Sequence, residues 1–258
     1  MASEGPRAPR VDGRPLVLGH RGASADAPEN TIAAFRLALA QGADGVELDA
    51  WCCAGGEVVV AHDEDTARTA GESLRIPDSP LAALRALDVG AMKGDAFRGE
   101  RIPLLEEALD AVPRGIVNVE LKSRGGRDLR LAQAAARVIA RAGAAPRVIA
   151  SSFDWRLLLA FRLAAPDVPV GLLFDGERAW RARTWVATRL FAPAAVHPDR
   201  ALVTGARLRA WTARGLAVNV WTVDDPADAA WLSRDGATAL VTNVPARVRE
   251  AVRAATGR

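Results

Sequence analysis

The sequence has few of the features that would tie it to an oxidising compartment, a membrane or a nucleic acid. Its only cysteines are the adjacent Cys52 and Cys53, which are too close to bridge without strain, so we expect no structural disulfide. No run of about 20 apolar residues occurs, so we expect no membrane insertion. Residues 1–14 lack the apolar core of a secretory signal, which favours a cytoplasmic location. The net charge is only +3 and no Lys/Arg-rich run occurs, which argues against a nucleic-acid partner.

Tyrosine is absent, and histidine and lysine are scarce enough for their positions to be informative. The histidines are His20, His62 and His197, and the lysines are Lys93 and Lys122. Because the other basic residues are arginines, a lysine at position 122 indicates a need for a compact ammonium group there. A lone histidine is usually a packing residue, and we interpret His197 in this way.

Short apolar runs alternate with helical patterns along the 258 residues, half of which are apolar. Eight such runs, each predicted to be a strand, lie at Leu16–Gly19, Gly45–Trp51, Ile116–Lys122, Val148–Phe153, Val170–Phe174, Ala194–His197, Ala217–Val223 and Ala239–Thr242. Eight strand–helix units predict a parallel sheet closed into a (β/α)8 TIM barrel, a fold of about 250 residues. We expect one domain over residues 1–258, with Asn30 as the N-cap of the first helix.

One further strand pattern, Glu57–Ala61, breaks the alternation. A turn of three residues separates it from the second strand, and so short a turn allows an antiparallel hairpin but no parallel crossover. Paired residue numbers should then sum to about 110, which brings His62 back level with Glu47 and Asp49. Residues 64–101 follow without a clear strand and are predicted to form a small inserted cap after the second strand.

Acidic side chains gather on the predicted inner face of two neighbouring strands. Glu47 and Asp49 share one face of the second strand because side chains alternate, and Glu120 and Lys122 share one face of the next barrel strand. These positions lie toward the carboxyl ends of the strands, where barrel enzymes carry their sites. Three buried carboxylates need a counter-charge, and one divalent cation, Mg²⁺ or Ca²⁺, suits oxygen ligands. A buried salt-bridge network with arginine or Lys122 is the alternative.

The two histidines that remain are predicted to meet at the same place. His20 and Arg21 end the first strand, which neighbours the second in a barrel, and the hairpin returns His62. Two imidazoles beside a cation suit general acid–base catalysis at neutral pH. The positive charges of Arg21 and Lys122 suit the oxygens of a phosphate.

Several motifs, in order along the chain, carry a family resemblance. They are LGHRGASADAPENTIAAF (Leu18–Phe35), GVELDA (Gly45–Ala50), VVAHDE (Val59–Glu64), RTAGE (Arg68–Glu72), RIPLLEEAL (Arg101–Leu109), VNVELKS (Val117–Ser123), SSFD (Ser151–Asp154) and VNVWTVDD (Val218–Asp225). Together they resemble the glycerophosphodiester phosphodiesterase family from about Leu16 to Val248. The resemblance implies the same barrel with an insertion after the second strand.

The resemblance also implies residue roles. It implies Glu47, Asp49 and Glu120 as metal ligands, His20 and His62 as catalytic residues, Arg21 and Lys122 as phosphate contacts, and Trp221 as a pocket residue. Asn243 is a departure, because members of the family commonly have aspartate there. We expect this change to alter the pocket wall and to leave the chemistry intact.

The implied reaction is metal-dependent hydrolysis of a small glycerophosphodiester to sn-glycerol 3-phosphate and an alcohol. His20 is assigned as base and His62 as acid, with water or the glycerol 2-hydroxyl as nucleophile. One alternative is lysophospholipase D or another phosphodiesterase on the same scaffold. Others are a barrel enzyme of a different class, such as a sugar-phosphate isomerase, and a non-catalytic protein that binds phosphodiesters.

Overall fold

Nine strands form one sheet in the computed structural model, which describes residues 7–9, 13–124, 129–176 and 191–258. Eight of the strands pair in parallel. They are β1 (Leu16–His20), β2 (Gly45–Cys52), β4 (Ile116–Leu121), β5 (Val148–Ser152), β6 (Val170–Phe174), β7 (Ala195–Pro198), β8 (Ala217–Val220) and β9 (Ala239–Thr242).

The sheet closes on itself because β1 pairs with both β9 and β2. Leu16 pairs with Ala239 on one side, and Leu18 pairs with Gly45 on the other. The order is therefore β1–β9–β8–β7–β6–β5–β4–β2 and back to β1. A closed barrel of eight parallel strands is the TIM-barrel fold, so the predicted fold and the eight predicted strand positions are confirmed.

The ninth strand, β3 (Val58–Val60), folds back antiparallel on the end of β2. Ala50 pairs with Val60, and the next two pairs keep the predicted register. The backbone amide that follows β3 donates to the carbonyl of Asp49 (3.0 Å). The chain therefore returns to the carboxyl end of the barrel at His62.

Nine α-helices lie in the described part of the chain. They are α1 (Ile32–Ala40), α2 (Ala67–Ala70), α3 (Leu81–Ala86), α4 (Leu105–Ala111), α5 (Arg130–Arg141), α6 (Trp155–Ala164), α7 (Gly205–Thr212), α8 (Pro226–Asp235) and α9 (Pro245–Thr256). The sequence also has a helical pattern near residues 178–190, which lies outside the described residues. None of the described helices is long and apolar enough to span a membrane.

The start of α1 corrects one prediction. Thr31, not Asn30, is the N-cap, and its Oγ1 accepts a hydrogen bond from the amide of Ala34 (3.2 Å). Asn30 adopts a left-handed conformation (φ 58°), which asparagine tolerates better than most residues. Its Nδ2 donates to Asp49 Oδ2 (2.8 Å), so Asn30 supports the end of β2 instead.

Side-chain alternation along β2 separates the apolar core from the polar end of the barrel. Val46 and Leu48 are fully buried in the apolar cluster that also contains Phe35 of α1. Glu47 and Asp49 take the opposite face, as the alternation predicts. The helices therefore cover the apolar face of the strand, and its carboxylates turn toward the barrel axis.

Residues 64–101 lie between β3 and α4 and contain α2, α3 and two 3₁₀ turns, Ile76–Asp78 and Asp95–Phe97. This segment contacts the loop that follows β1, because Lys93 Nζ donates to the carbonyls of Ser24 (2.9 Å) and Ala25 (2.8 Å).

Candidate active site

The ends of β1, β2 and β4 bring the predicted site residues together. Strand pairing sets His20 beside Glu47, and Asp49 beside Glu120. Lys122 follows β4 directly. Because these strands are parallel neighbours, their side chains meet at the carboxyl end of the barrel.

Glu47, Asp49 and Glu120 form a compact carboxylate cluster. One ligand oxygen from each lies within 4.8 Å of the others, and all three side chains are nearly buried. Burial, followed by the charges of Asp49 and Glu120, raises the pKa of Glu47 well above its ordinary range. Burial and the charge of Asp49 raise the pKa of Glu120 to about 7.

Two cationic side chains contact this cluster. Lys122 Nζ lies 2.9 Å from Asp49 Oδ1 and 2.9 Å from Glu120 Oε1, and Arg21 Nε lies 3.3 Å from Asp49 Oδ2. Burial alone would raise the pKa of Asp49, but Lys122 and Arg21 outweigh it and lower that pKa to about 2. The salt bridges that the sequence offers as the alternative to a metal ion are therefore present, because Lys122 pairs with Asp49 and Glu120.

The carboxylate cluster also has the chemistry of a divalent-cation site. Two cations face three carboxylates, and burial together with the charges of the neighbouring carboxylates raises the pKa of Glu47 and of Glu120. Closely spaced carboxylate oxygens are the ligands that Mg²⁺ and Ca²⁺ prefer. The three residues fit one such ion, which would offset the remaining charge.

His20 is oriented by an amide at the end of β9. Its Nδ1 lies 2.8 Å from Asn243 Oδ1, and Asn243 Nδ2 in turn donates to Asp224 Oδ2 (2.6 Å). With an acceptor at Nδ1, the neutral ring carries its hydrogen there and leaves Nε2 with a free lone pair. Burial, and then the charge of Arg21, lowers the pKa of His20, which keeps the ring neutral at pH 7.

His62 is oriented by the carboxylate of its neighbour. Its Nδ1 lies 2.7 Å from Asp63 Oδ1, and because a carboxylate only accepts, Nδ1 carries the hydrogen. Burial lowers the pKa of His62, whereas Asp49 and Asp63 raise it in part. His62 thus has an anionic partner that favours imidazolium, while His20 has a neutral one.

A cavity of about 250 Å³ opens beside these groups. Its walls include all three histidines and Trp221, whose Nε1 donates to the carbonyl of His197 (2.9 Å). The Trp221 ring meets Phe153 edge-on, with centroids 5.7 Å apart. The predicted site residues that line the cavity are His20, Arg21, Glu47, His62, Glu120, Lys122 and Trp221, and Asp49 lies behind them against Lys122.

An open groove of about 490 Å³ adjoins the cavity on the side of His62. It shares His62, Glu120, Lys122 and Phe153 with the cavity, and its other walls include Trp51 and Trp155. His20 therefore lines the inner cavity, whereas His62 lines both the cavity and the groove.

The sequence profile of the Glycerophosphoryl diester phosphodiesterase family matches residues 20–247, which is most of the chain. The chain belongs to this family. A glycerophosphodiester phosphodiesterase of Caldanaerobacter subterraneus subsp. tengcongensis is 32% identical over 240 residues, covering 92% of this phosphodiesterase and 98% of that protein. The family and the enzyme class predicted from the sequence, a phosphoric diester hydrolase, are confirmed.

Solved structures resemble this phosphodiesterase over nearly its whole length. A phosphodiesterase of Oleispira antarctica, in complex with the product sn-glycerol-3-phosphate, is 28% identical with a TM-score of 0.83, covering 93% of this chain and 97% of that chain. The glycerophosphodiester phosphodiesterase of Thermotoga maritima is 28% identical with a TM-score of 0.72. The match covers 92% of this chain and 97% of that chain.

Three further residues contact the side chains of the candidate active site. Asn243, predicted only as pocket wall, holds His20. Glu29 accepts a hydrogen bond from Arg21 Nη1 (3.0 Å). Asp63 Oδ1 lies 2.7 Å from His62 Nδ1 and so orients the ring of His62. Glu29 and Asp63 lie inside the family-like motifs, whereas Asn243 lies outside them, and no local pattern points to its contact with His20.

Proposed function

We propose that this phosphodiesterase hydrolyses glycerophosphodiesters to sn-glycerol 3-phosphate and an alcohol. The observation that carries the proposal is the pair of histidines, each fixed through Nδ1, on one cavity with a carboxylate cluster. The product sn-glycerol-3-phosphate in the structurally similar Oleispira antarctica phosphodiesterase supports the glycerol 3-phosphate half of the substrate.

Glu47, Asp49 and Glu120 are proposed to hold one divalent cation, Mg²⁺ or Ca²⁺. When bound, such an ion supplies Lewis-acid stabilisation of charge on a phosphate oxygen. Arg21 and Lys122 add fixed positive charge at the same place and are proposed to contact the other phosphate oxygens.

The two histidines are proposed to move the protons of the reaction. His20, buried and paired with a neutral amide, is the proposed base that accepts a proton at Nε2 from water or from the glycerol 2-hydroxyl. His62 is the proposed acid that protonates the departing alkoxide, because the Asp63 carboxylate favours its imidazolium form.

The remaining surfaces suit the two halves of the substrate. Trp221 is proposed to line the glycerol side of the inner cavity, and the open groove beside His62 is proposed to receive the leaving alcohol. Residues 64–101 are proposed to act as a cap on the same domain, in line with the contact of Lys93 with the loop after β1.

A lysophospholipase D is the second candidate. The observation that favours it is the size of the groove beside His62, about 490 Å³ with Trp51, Phe153 and Trp155 in its walls. A lysophospholipid offered beside a short glycerophosphodiester separates the two candidates by which substrate gives the larger kcat/KM.

The proposal is tested by release of glycerol 3-phosphate from glycerophosphocholine and glycerophosphoethanolamine. The reaction is run in EDTA and again with Mg²⁺ or Ca²⁺ restored, for the parent, His20→Ala and Glu47→Ala. The expected result is release that needs the metal and falls at least about 10²-fold in His20→Ala. Folded parent that releases nothing with either metal or either substrate contradicts the proposal.

A further inference from the structure

Arg68, in the short helix α2, contacts two carboxylates at once. Its Nη1 and Nη2 donate to the two oxygens of Glu29 (2.7 Å each), and its Nε donates to Asp63 Oδ2 (2.6 Å). A planar guanidinium presents its donors in a rigid fork, so one side chain fixes the relative placement of both carboxylates.

Each of these carboxylates holds one of the proposed functional residues. Glu29 Oε1 accepts from Arg21 Nη1 (3.0 Å) as well as from Arg68. Asp63 Oδ1 contacts His62 Nδ1 (2.7 Å), while its other oxygen accepts from Arg68. Arg68 is therefore linked to Arg21, the proposed phosphate contact, through Glu29 and to His62, the proposed acid, through Asp63.

The backbone that carries Arg68 is itself well anchored. Thr66 is buried, and its Oγ1 donates to the carbonyl of Glu72 (2.5 Å) and accepts from the amide of Leu74 (3.0 Å). Gly71 ends the helix in the left-handed conformation (φ 72°). The fork is thus held from residues 66–74, outside the barrel strands.

We expect the contacts of Arg68 to contribute little to the free energy of folding. Its side chain is 50% exposed, and ion pairs of exposed side chains contribute little to folding. What the three hydrogen bonds fix is the orientation of Glu29 and Asp63, and these carboxylates contact Arg21 and His62 in the cavity wall.

We infer that Arg68 is a positioning residue that sets Arg21 through Glu29 and His62 through Asp63, and so couples segment 64–101 to the proposed reaction. The inference rests on the proposed function. It predicts separable effects, because Arg21 acts on a phosphate that is charged in the substrate and the transition state alike, whereas His62 acts as the bond breaks.

The kinetic test compares Arg68→Gln, Glu29→Gln and Asp63→Asn. Arg98→Gln is the matched control, because Arg98 lies in the same segment, is 66% exposed and pairs with Asp95 at the surface. Glu29→Gln should mainly raise KM, Asp63→Asn should mainly lower kcat, and Arg68→Gln should do both, with a loss of kcat/KM of at least about tenfold. Arg98→Gln should match the parent.

Combining Arg68→Gln with substitutions of Glu29 and Asp63 shows whether Arg68 acts through these two carboxylates. In the Glu29→Gln/Asp63→Asn background, Arg68→Gln should add little further loss, because the groups it positions are already released. Arg68→Lys keeps the charge without the fork and should restore only part of the activity. If Arg68→Gln equals Arg98→Gln, or if it costs as much in the double background as in the parent, the inference is overturned.

A second readout does not depend on turnover. The chain has three histidines, so ¹⁵N spectra of their rings can be assigned one by one. At a pH where the rings are neutral, Arg68→Gln should shift His62 away from the Nδ1–H tautomer and leave His20 and His197 unchanged. An unchanged His62 ring in Arg68→Gln contradicts the positioning role. If the parent is inactive but Arg68→Gln still shifts the His62 signals, the proposed function fails and the positioning role stands.

Discussion

Asn243 fixes His20 with a single amide oxygen. That oxygen lies 2.8 Å from His20 Nδ1 and also accepts from Ser24 Oγ (2.8 Å). Nδ2 of the same amide donates to Asp224 Oδ2, and this hydrogen bond prevents the amide from flipping. We predict that Asn243→Ala lowers kcat by at least about tenfold, because His20 loses the bond that orients Nε2.

Ser24→Ala is the matched control for Asn243→Ala, since it removes only the other hydrogen bond to the same oxygen. Steady-state kinetics and thermal unfolding of both variants provide the measurement. A kcat for Asn243→Ala equal to that of Ser24→Ala would show that His20 does not depend on the amide.

The pKa of His20 and of His62 is lowered, chiefly by burial, and this sets an expectation for the pH dependence of the proposed reaction. A base with a lowered pKa stays neutral to lower pH than a free histidine. The acidic limb of kcat/KM, which reports the base in the free enzyme, should therefore have its midpoint below about 6.5. A full pH–rate profile checks this, and a midpoint above that value would contradict the assignment of buried His20 as base.

The hairpin of β2 and β3 shows which part of the site the sequence determines. A three-residue turn restricts the pairing to one register, so the return of His62 to Asp49 follows from local chain geometry, as does the alternation that groups Glu47 with Asp49. The partner of His20 does not follow, because Asn243 lies 223 residues away. Contacts of that range depend on barrel closure and side-chain packing, which no local pattern specifies.

The turn that enters β2 carries an ionic cluster at the opposite end of the barrel. Asp44 accepts from Arg14 Nη1 and Nη2 (2.8 Å each) and from the amide of Val17 (2.8 Å), and it pairs with Arg249 of α9 (2.6 Å). Burial raises the pKa of Asp44, but these partners outweigh burial and the net pKa is lowered. The cluster ties β1, β2 and α9 together.

We predict that Asp44→Asn lowers the free energy of unfolding by about 2 kcal/mol at pH 7 with little change in kcat. A carboxyl with a lowered folded pKa stabilises the fold above its unfolded pKa of about 3.9, and this contribution is lost as pH falls through the folded pKa. The difference between parent and variant should therefore shrink in strong acid. Denaturant unfolding at several pH values tests this, and a constant difference down to acid pH would contradict it.

Across the whole molecule, the two ends of the barrel differ in how their charged side chains are arranged. The carboxyl end gathers like charges, and the raised pKa of Glu47 indicates that keeping it ionised there costs stability. The amino end carries the Asp44 cluster, in which one carboxylate pairs with two arginines. This division matches the general TIM-barrel pattern of function at one face and stability at the other.

We predict that Glu47→Gln reverses the order of thermal stability between two conditions. In EDTA the variant should melt at or above the parent temperature, because a buried repulsive charge is removed. At a metal concentration of about 100 Kd the parent should gain roughly 2.7 kcal/mol and melt above the variant. Thermal unfolding in EDTA, Mg²⁺ and Ca²⁺ provides the measurement, and equal gains for both proteins would place the ion elsewhere.

The central claim is the hydrolysis of one particular bond, and ³¹P NMR of the products of glycerophosphocholine tests it most directly. The proposed reaction predicts that the diester signal is replaced by that of sn-glycerol 3-phosphate, with choline released, in the presence of Mg²⁺ or Ca²⁺. Phosphocholine and glycerol as products, or a diester that persists with folded enzyme and either metal, would contradict it.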